Sequence, residues 1–382
     1  MFTQAQFPEE RAASLQFAAA CREHRMVCTF FAAMFLGRFS AGCRKEQAGS
    51  LCSAESRKLR SQREENRANC PRHMAKKIAL LFAGQGAQCV GMGHDLAEQF
   101  PVAADLFRHA DEILGRNLSE IAWNGPIEEL TKTSNCQPAL YVHGLAALAA
   151  LRDVLGDFDV GGAAGLSLGE LTAHAAGGTF DFATGLRLVQ KRGEFMDEAC
   201  ATTQGGMAAM IGGLENDVRQ LAADEDVDIA NINAPNQIVI SGELARVETS
   251  VGVAKEYGIG RAMMLNVAGA YHSRLMESAY VKLEKVLADL PMQSPDFPVI
   301  SNVTGEEVET PQEIRQTLRD QVTGTVRWTD CMQRLIHLGC DFFIELGPGT
   351  VLAGLLKRMN RSIEVTSVSG PESARECAAV LS

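Results

Sequence analysis

This sequence predicts an α/β fold: a mostly parallel sheet covered by helices, with a small inserted subdomain. Three observations lead there. Short apolar runs of strand length alternate with amphipathic stretches of helix length over the chain after residue 74. Between residues 206 and 266 the rhythm changes to β-α-β-β-α-β, the ferredoxin-like order. A Gly-Leu-Ser-Leu-Gly stretch at 165–169 lies between a strand-like run and a helix-like run.

Taken along the chain, Ile78–Phe82 is a continuous apolar run ending at Gly84, as expected of a strand buried on both faces. Pro138 is placed to open a helix carrying Leu140, Leu145, Leu148, Leu151 and Leu155 mostly on one face. Val160–Gly165 is the strand entering the Gly-Leu-Ser-Leu-Gly turn, Leu168–Ala176 the helix leaving it, and Asp181–Ala199 a further helix. The inserted pattern runs strand Met207–Ile211, helix Glu215–Ala223, strand Val227–Asn231, strand Gln237–Ser241, helix Leu244–Tyr257 and strand Arg261–Leu265. Strands Val299–Asn302, Phe342–Leu346 and Glu364–Val368 complete the large sheet. The expected division is a large α/β part at 74–205 and 267–382, with a small ferredoxin-like part at 206–266.

The 382 residues are 46% apolar, enough for a sizeable core. None of the 11 cysteines forms a CxxC pair or a Cys/His cluster with zinc spacing, so no metal site is expected. The six beyond residue 73 read as reduced packing thiols in a cytoplasmic protein. The net charge of −11 conceals an asymmetry. Residues 1–73 hold 12 of the 36 Lys/Arg and 7 of the 47 acidic residues, leaving 24 basic against 40 acidic residues in the remainder. An acidic domain argues against general nucleic-acid binding.

The first 73 residues differ in kind. From Gln47 to His73 the chain is dominated by Ser, Arg, Glu and Gln, a composition that cannot bury a core. The apolar run Val27–Gly37 is too short to cross a membrane, although it has the length of a signal-peptide core. Met74 begins MAKKIALLFAGQG, which reads like a natural start. Residues 1–73 are therefore expected to be a disordered or non-native extension.

Gly165-Leu166-Ser167-Leu168-Gly169 fits G-x-S-x-G, which places a serine on a tight strand-to-helix turn in an α/β-hydrolase-like core. Such a serine is exposed, and the next backbone N–H, that of Leu168, faces a developing oxyanion at a helix N-terminus. Alone the motif is weak, and an ordinary helix cap is the competing reading. Of eight histidines, His272 is favoured as the base because it lies in a loop returning from the inserted part to the main sheet. Gly84-Gln85-Gly86 after the first strand is either a plain tight turn or a second oxyanion donor through the Gln85 N–H. It lacks the third glycine of a dinucleotide loop, and no P-loop is present. Arg192 is either a solvated helix residue or a buried one suited to a carboxylate.

In order, these residues resemble the malonyl-CoA:acyl-carrier-protein transacylases of fatty acid synthesis and the related acyltransferase domains of polyketide synthases. Nine stretches carry the resemblance: LFAGQGAQ (81–88), QPAL (137–140), GLSLGE (165–170), QKRGEFM (190–196), NAPNQIVISG (233–242), AYHS (270–273), SNVTG (301–305), VRW (326–328) and ELGPG (345–349). It implies Ser167 as acyl-carrying nucleophile, His272 as catalytic histidine, Gln85 and Leu168 as oxyanion donors, and Arg192 as the group holding the free carboxylate of malonyl. It also implies that the backbone carbonyl of Arg327 orients the histidine, without a third acid.

The implied reaction is ping-pong transfer of malonyl from malonyl-CoA to the phosphopantetheine thiol of acyl carrier protein by a cytoplasmic monomer with no bound cofactor. Two readings compete: an acyltransferase for another CoA thioester in polyketide synthesis, and a serine hydrolase. Three positions depart from the family habit, where His, Tyr and Phe or Ser are usual: Leu166, Leu171 and Tyr271. Tyr271 is expected to replace Phe in packing. Because carrier proteins of this pathway are acidic, Lys357, Arg358 and Arg361 are expected to form a basic patch near the pocket mouth.

Overall fold

The computed structural model describes residues 76–382, and the expectations for residues 1–73, including Val27–Gly37 and the start at Met74, lie outside the described residues. The described chain runs β1 (Ile78–Phe82), α1 (His94–Gln99), α2 (Pro101–Leu114), α3 (Leu118–Asn124), α4 (Ile127–Thr131), α5 (Thr133–Leu155), β2 (Val160–Gly165), α6 (Leu168–Ala176) and α7 (Phe182–Thr202). The small part follows: β3 (Gly205–Ile211), α8 (Glu215–Asp224), β4 (Asp228–Ala234), β5 (Gln237–Glu243), α9 (Leu244–Val253), a short 3₁₀ turn and β6 (Arg261–Met264). The chain then returns through α10 (Glu277–Ala288), α11 (Pro311–Asp320), α12 (Trp328–His337), β7 (Phe342–Leu346), α13 (Val351–Met359), β8 (Glu364–Val368) and α14 (Pro371–Leu381).

The large sheet has the order β2-β1-β7-β8, all parallel. Every residue of β1 and β7 is buried, as a strand covered on both faces requires. Alternation along β1 splits two cores. Ile78, Leu80 and Phe82 face a cluster shared with α2, α5, α7 and α10. Ala79 and Leu81 face a second cluster with Trp328, Met332 and Leu355 from α12 and α13. Buried Glu345 on β7 ties a helix end to the sheet: its carboxylate accepts from the Leu352 and Ala353 N–H groups at 2.9 and 3.0 Å and from Ser367 Oγ at 2.9 Å.

The small sheet is antiparallel with the order β4-β5-β3-β6, the ferredoxin-like arrangement that the alternation predicts. Its own core packs Met210, Leu221, Ile240 and Val247 between sheet and helices.

Two elements differ from expectation. Pro138 does not open a helix but lies inside α5, which begins at Thr133. A proline there leaves the carbonyl four residues earlier without its helical donor. That carbonyl, of Ser134, accepts instead from Arg116 Nη2 at 2.8 Å. The run Val299–Asn302 is not a full strand. Only Val299 and Ile300 form bridges, to Ala163 and Glu307; the Ser301 N–H donates to the Glu306 carbonyl at 2.9 Å, and the Asn302 side chain turns to the Ser167 turn.

Candidate active site

Ser167 sits between β2 and α6 with φ 53° and ψ −104°, a conformation that non-glycine residues rarely adopt. The surrounding glycines permit it. A Cβ on Gly165 would lie 1.9 Å from the Gly169 carbonyl carbon, and one on Gly169 would lie 2.1 Å from the Phe82 oxygen. The turn is pinned from outside by Asn302. Its Oδ1 accepts from the Ser167 N–H at 2.7 Å, and its Nδ2 donates to the Gly165 carbonyl at 2.8 Å.

His272 is brought to Ser167 by the loop that follows β6. Its Nε2 lies 2.8 Å from Ser167 Oγ, and its Nδ1 lies 2.8 Å from the Gln321 carbonyl. A carbonyl only accepts, so Nδ1 carries the proton and Nε2 is left to accept from the serine hydroxyl. Burial, and then the nearby Arg192 charge, push the imidazole pKa down to about 4. It is therefore a neutral base at physiological pH.

The expectation for Arg327 is corrected here. Its carbonyl accepts from the Cys331 N–H at 3.0 Å in the first turn of α12, and its side chain pairs with Asp330 at 2.6 Å. The carbonyl facing His272 comes from Gln321, just past the end of α11.

Arg192 projects from α7 and is buried. Gly193 lets that helix approach α5, where a Cβ would meet the Thr133 oxygen at 2.7 Å. Arg192 Nη1 donates to Gln137 Oε1 at 2.7 Å, while Nη2 donates to Gln321 Oε1 at 2.9 Å and reaches Ser167 Oγ at 3.1 Å. Burial lowers its pKa to about 10 against the raising effect of Glu170, so the guanidinium stays charged at neutral pH. A fixed cation thus stands beside the serine oxygen.

A cleft of about 450 Å³ opens at Ser167. Gln85, Leu166 and His272 line one wall, and Met207, Asn231 and Val239 of the small sheet line the other. Leu168 is the first residue of α6, so its N–H has no partner within the helix. Gln85 follows β1 at the cleft wall. Among the described residues neither backbone N–H has a protein acceptor. Leu171 is buried in the core and away from the cleft lining.

Tyr271 does more than pack. Its hydroxyl lies 2.8 Å from Thr133 Oγ1 and 3.5 Å from Gln85 Nε2, placing a polar group in the cleft wall. Lys357, Arg358 and Arg361 are absent from the cleft lining. Lys357 Nζ donates to the Ile363 carbonyl at 2.5 Å, and Arg358 donates to Gln237 Oε1. Among the described residues no group of three or more His, Cys, Asp or Glu is placed to hold a metal ion.

Four polar residues at the site carry contacts that sequence reasoning missed: Gln137, Glu170, Asn302 and Gln321. Three lie in the stretches QPAL, GLSLGE and SNVTG, where the pattern was visible but no chemistry was assigned to them. Gln321 lies in no such stretch, and its main-chain contact carries no side-chain signal.

The profile of the acyl transferase domain family matches residues 79–377. The malonyl CoA-acyl carrier protein transacylase of Bacillus subtilis (strain 168) is 43% identical over 303 residues, covering 78% of this chain and 94% of that protein. The polyketide biosynthesis malonyl CoA-acyl carrier protein transacylase PksC of the same organism is 42% identical over 294 residues, covering 75% and 98%. Among solved structures, an acyl-carrier-protein-S-malonyltransferase from Bartonella henselae superposes with a TM-score of 0.77 at 38% identity, covering 80% of this chain and 99% of that one.

Proposed function

The chain belongs to the acyl transferase family, among the malonyl-CoA:acyl-carrier-protein transacylases, and on that premise we propose that it moves a malonyl group from malonyl-CoA to the phosphopantetheine thiol of acyl carrier protein. The observation that carries this reading is the buried Arg192 guanidinium, 3.1 Å from Ser167 Oγ. A fixed cation beside the nucleophile favours an acyl group that ends in a carboxylate. An acyl end without charge leaves that hydrogen bond unmade, a loss of about 1.5–3 kcal/mol, or roughly ten- to more than hundredfold in rate.

The reaction runs in two halves. His272 Nε2 takes the proton of Ser167 as its oxygen attacks the thioester carbonyl, and the oxyanion is held by the Leu168 and Gln85 N–H groups. The C–S bond breaks, CoA leaves as its thiol with the proton from His272, and malonyl remains as an ester on Ser167. The carrier's thiol then gives its proton to His272 and attacks the ester. Ser167 leaves with that proton, and the acyl group departs on the carrier. Arg192 pairs with the distal carboxylate in both halves.

We place this activity in fatty acid synthesis in the cytoplasm, where the free cysteines suit a reducing environment. Nearly equal identity to PksC keeps polyketide synthesis as the second reading.

The test is intact-mass spectrometry after mixing with malonyl-CoA and then with carrier protein. A malonyl adduct mapped to Ser167 that discharges onto the carrier supports the proposal. Hydrolysis without transfer makes the protein a hydrolase instead.

A further inference from the structure

Glu170 lies one turn beyond Ser167 on α6, wholly buried, and the mechanism above makes no use of it. Its Oε2 accepts from Gln321 Nε2 at 2.5 Å and from the Asn302 N–H at 3.0 Å. Gln321 Nε2 also faces the Ser167 carbonyl at 3.0 Å and Asn302 Oδ1 at 3.4 Å. Three acceptors thus surround one end of the Gln321 amide, and Glu170 is the nearest of them. With the donor end held there, the acceptor end, Oε1, is left facing Arg192 Nη2 at 2.9 Å. The reversed amide would set its oxygen against a carboxylate and its NH₂ against a guanidinium. Both contacts would be repulsive in a site closed to water.

We infer that Glu170 is a positioning residue for acyl selection, fixing the Gln321 amide so that Arg192 is aimed beside Ser167. The inference rests on the reading of Arg192 as the carboxylate-binding group. Gln321 couples the two halves of the site: its main-chain carbonyl holds His272, while its side chain holds Arg192. Keeping a carboxyl here is costly to the fold, since burial pushes its pKa up to about 7 and its other oxygen, Oε1, has no hydrogen-bond partner among the described residues. When protonated, Glu170 carries the proton on Oε1 while Oε2 goes on accepting. Acceptance by Oε2, rather than net charge, is therefore what positions Gln321, and a glutamine at 170 can supply the same acceptor.

The test compares kcat/KM for malonyl-CoA and acetyl-CoA in the full chain, using Glu170→Ala, Glu170→Gln, Gln321→Ala and the double variant Glu170→Ala/Gln321→Ala. Glu170→Ala should lower the malonyl-to-acetyl ratio about tenfold, the size of one weakened charged hydrogen bond, mainly through KM for malonyl-CoA. Glu170→Gln should return it to within about twofold of the parent. The double variant should be no worse than the poorer single one, because Glu170 acts through Gln321. Equal loss on both substrates, additive losses in the double variant, or failure of Glu170→Gln to rescue would overturn the inference. Should Glu170→Ala not fold, Gln321→Ala must lower the ratio by itself, and an unchanged ratio overturns the inference equally. Arg192→Ala is measured alongside. An unchanged ratio there removes the carboxylate reading, and the inference falls with it; a lowered ratio there with no effect of the Glu170 variants rejects the inference alone.

Discussion

His272 and Gln321 are joined by a 2.8 Å hydrogen bond from the imidazole Nδ1–H to a main-chain carbonyl. The imidazole is thereby oriented by backbone rather than by a carboxylate. A carbonyl fixes the tautomer without adding a full negative charge, so it offsets little of the cost of burying an imidazolium beside Arg192.

The first expectation concerns pH. With its pKa pushed down to about 4, His272 stays a free base well below neutrality. The kcat/KM for acylation by malonyl-CoA should be level from about pH 8 to 5 and fall toward acid with a midpoint near 4. A fall centred on the ordinary histidine value of 6.5 would contradict the burial argument.

Replacing the proposed nucleophile and the proposed base should separate their roles. Ser167→Ala should abolish the malonyl adduct. His272→Ala should slow its formation by about 10²–10⁴-fold, the usual contribution of a general base, while leaving the site of attachment unchanged. A persistent adduct in Ser167→Ala would move the nucleophile elsewhere.

Asn302 holds the Ser167 turn through two hydrogen bonds, one buried and one partly buried. Asn302→Ala should reduce unfolding free energy by about 1–3 kcal/mol for each polar group left unpaired, read by urea denaturation. Turnover should fall as well. Unchanged stability would show that water replaces the amide without loss.

Two glycines should respond differently to alanine. At Gly165 the new Cβ would meet main-chain atoms 1.9 Å away, and backbone cannot move aside as a side-chain tip can. The cost should exceed about 3 kcal/mol and yield little soluble protein. At Gly86 nothing among the described residues lies within 4 Å of the new Cβ, so the strain of φ +103° remains, about 1–3 kcal/mol. Gly86→Ala should fold, and its melting temperature measures that strain.

Acid should unfold the protein steeply. His143, His174 and His272 are buried, with pKa values lowered to about 4, 3 and 4. Between their ordinary 6.5 and about 4, the unfolded chain takes up three protons that the folded chain refuses. Glu170, raised to about 7 from 4.5, works in the opposite direction, because the folded chain holds its proton first. From these groups the net of two protons makes stability fall by roughly 3 kcal/mol for each pH unit of acidification in that window. Urea titrations at stepped pH would read the slope, and Glu170→Gln should steepen it.

Several of these features were legible beforehand and others were not, for physical reasons. β1 could be read because a strand covered on both faces is written as a continuous apolar run, and β7 because its run is broken only by Glu345. The small sheet could be read from alternation alone. Pro138 misled because the group that rescues its helix, Arg116, is 22 positions earlier in the chain. The orienting carbonyl could not be assigned, since every residue has one and only the path of the loop chooses Gln321 over Arg327. Glu170 was visible only as part of GLSLGE, with no role attached to it. Its burial, and hence its partners, depend on Asn302 and Gln321 arriving from more than 130 residues away.

The small sheet leaves and rejoins the chain through β3 and β6, which pair with each other, Ala208 opposite Met264. Ser167 is contributed before this excursion and His272 after it. The excursion is also stitched to the large part along β4, where the Ile232 N–H donates to the Val326 carbonyl at 2.9 Å and the Val326 N–H donates to the Ala230 carbonyl at 2.8 Å, so its outer loops and helices can change while the spacing of Ser167 and His272 is kept. Its face toward the cleft includes Met207, Asn231 and Val239, and of these Asn231 belongs to the seam with Val326. Exchanging the Met207 and Val239 side chains would alter which acyl chains fit and leave the β4 seam in place.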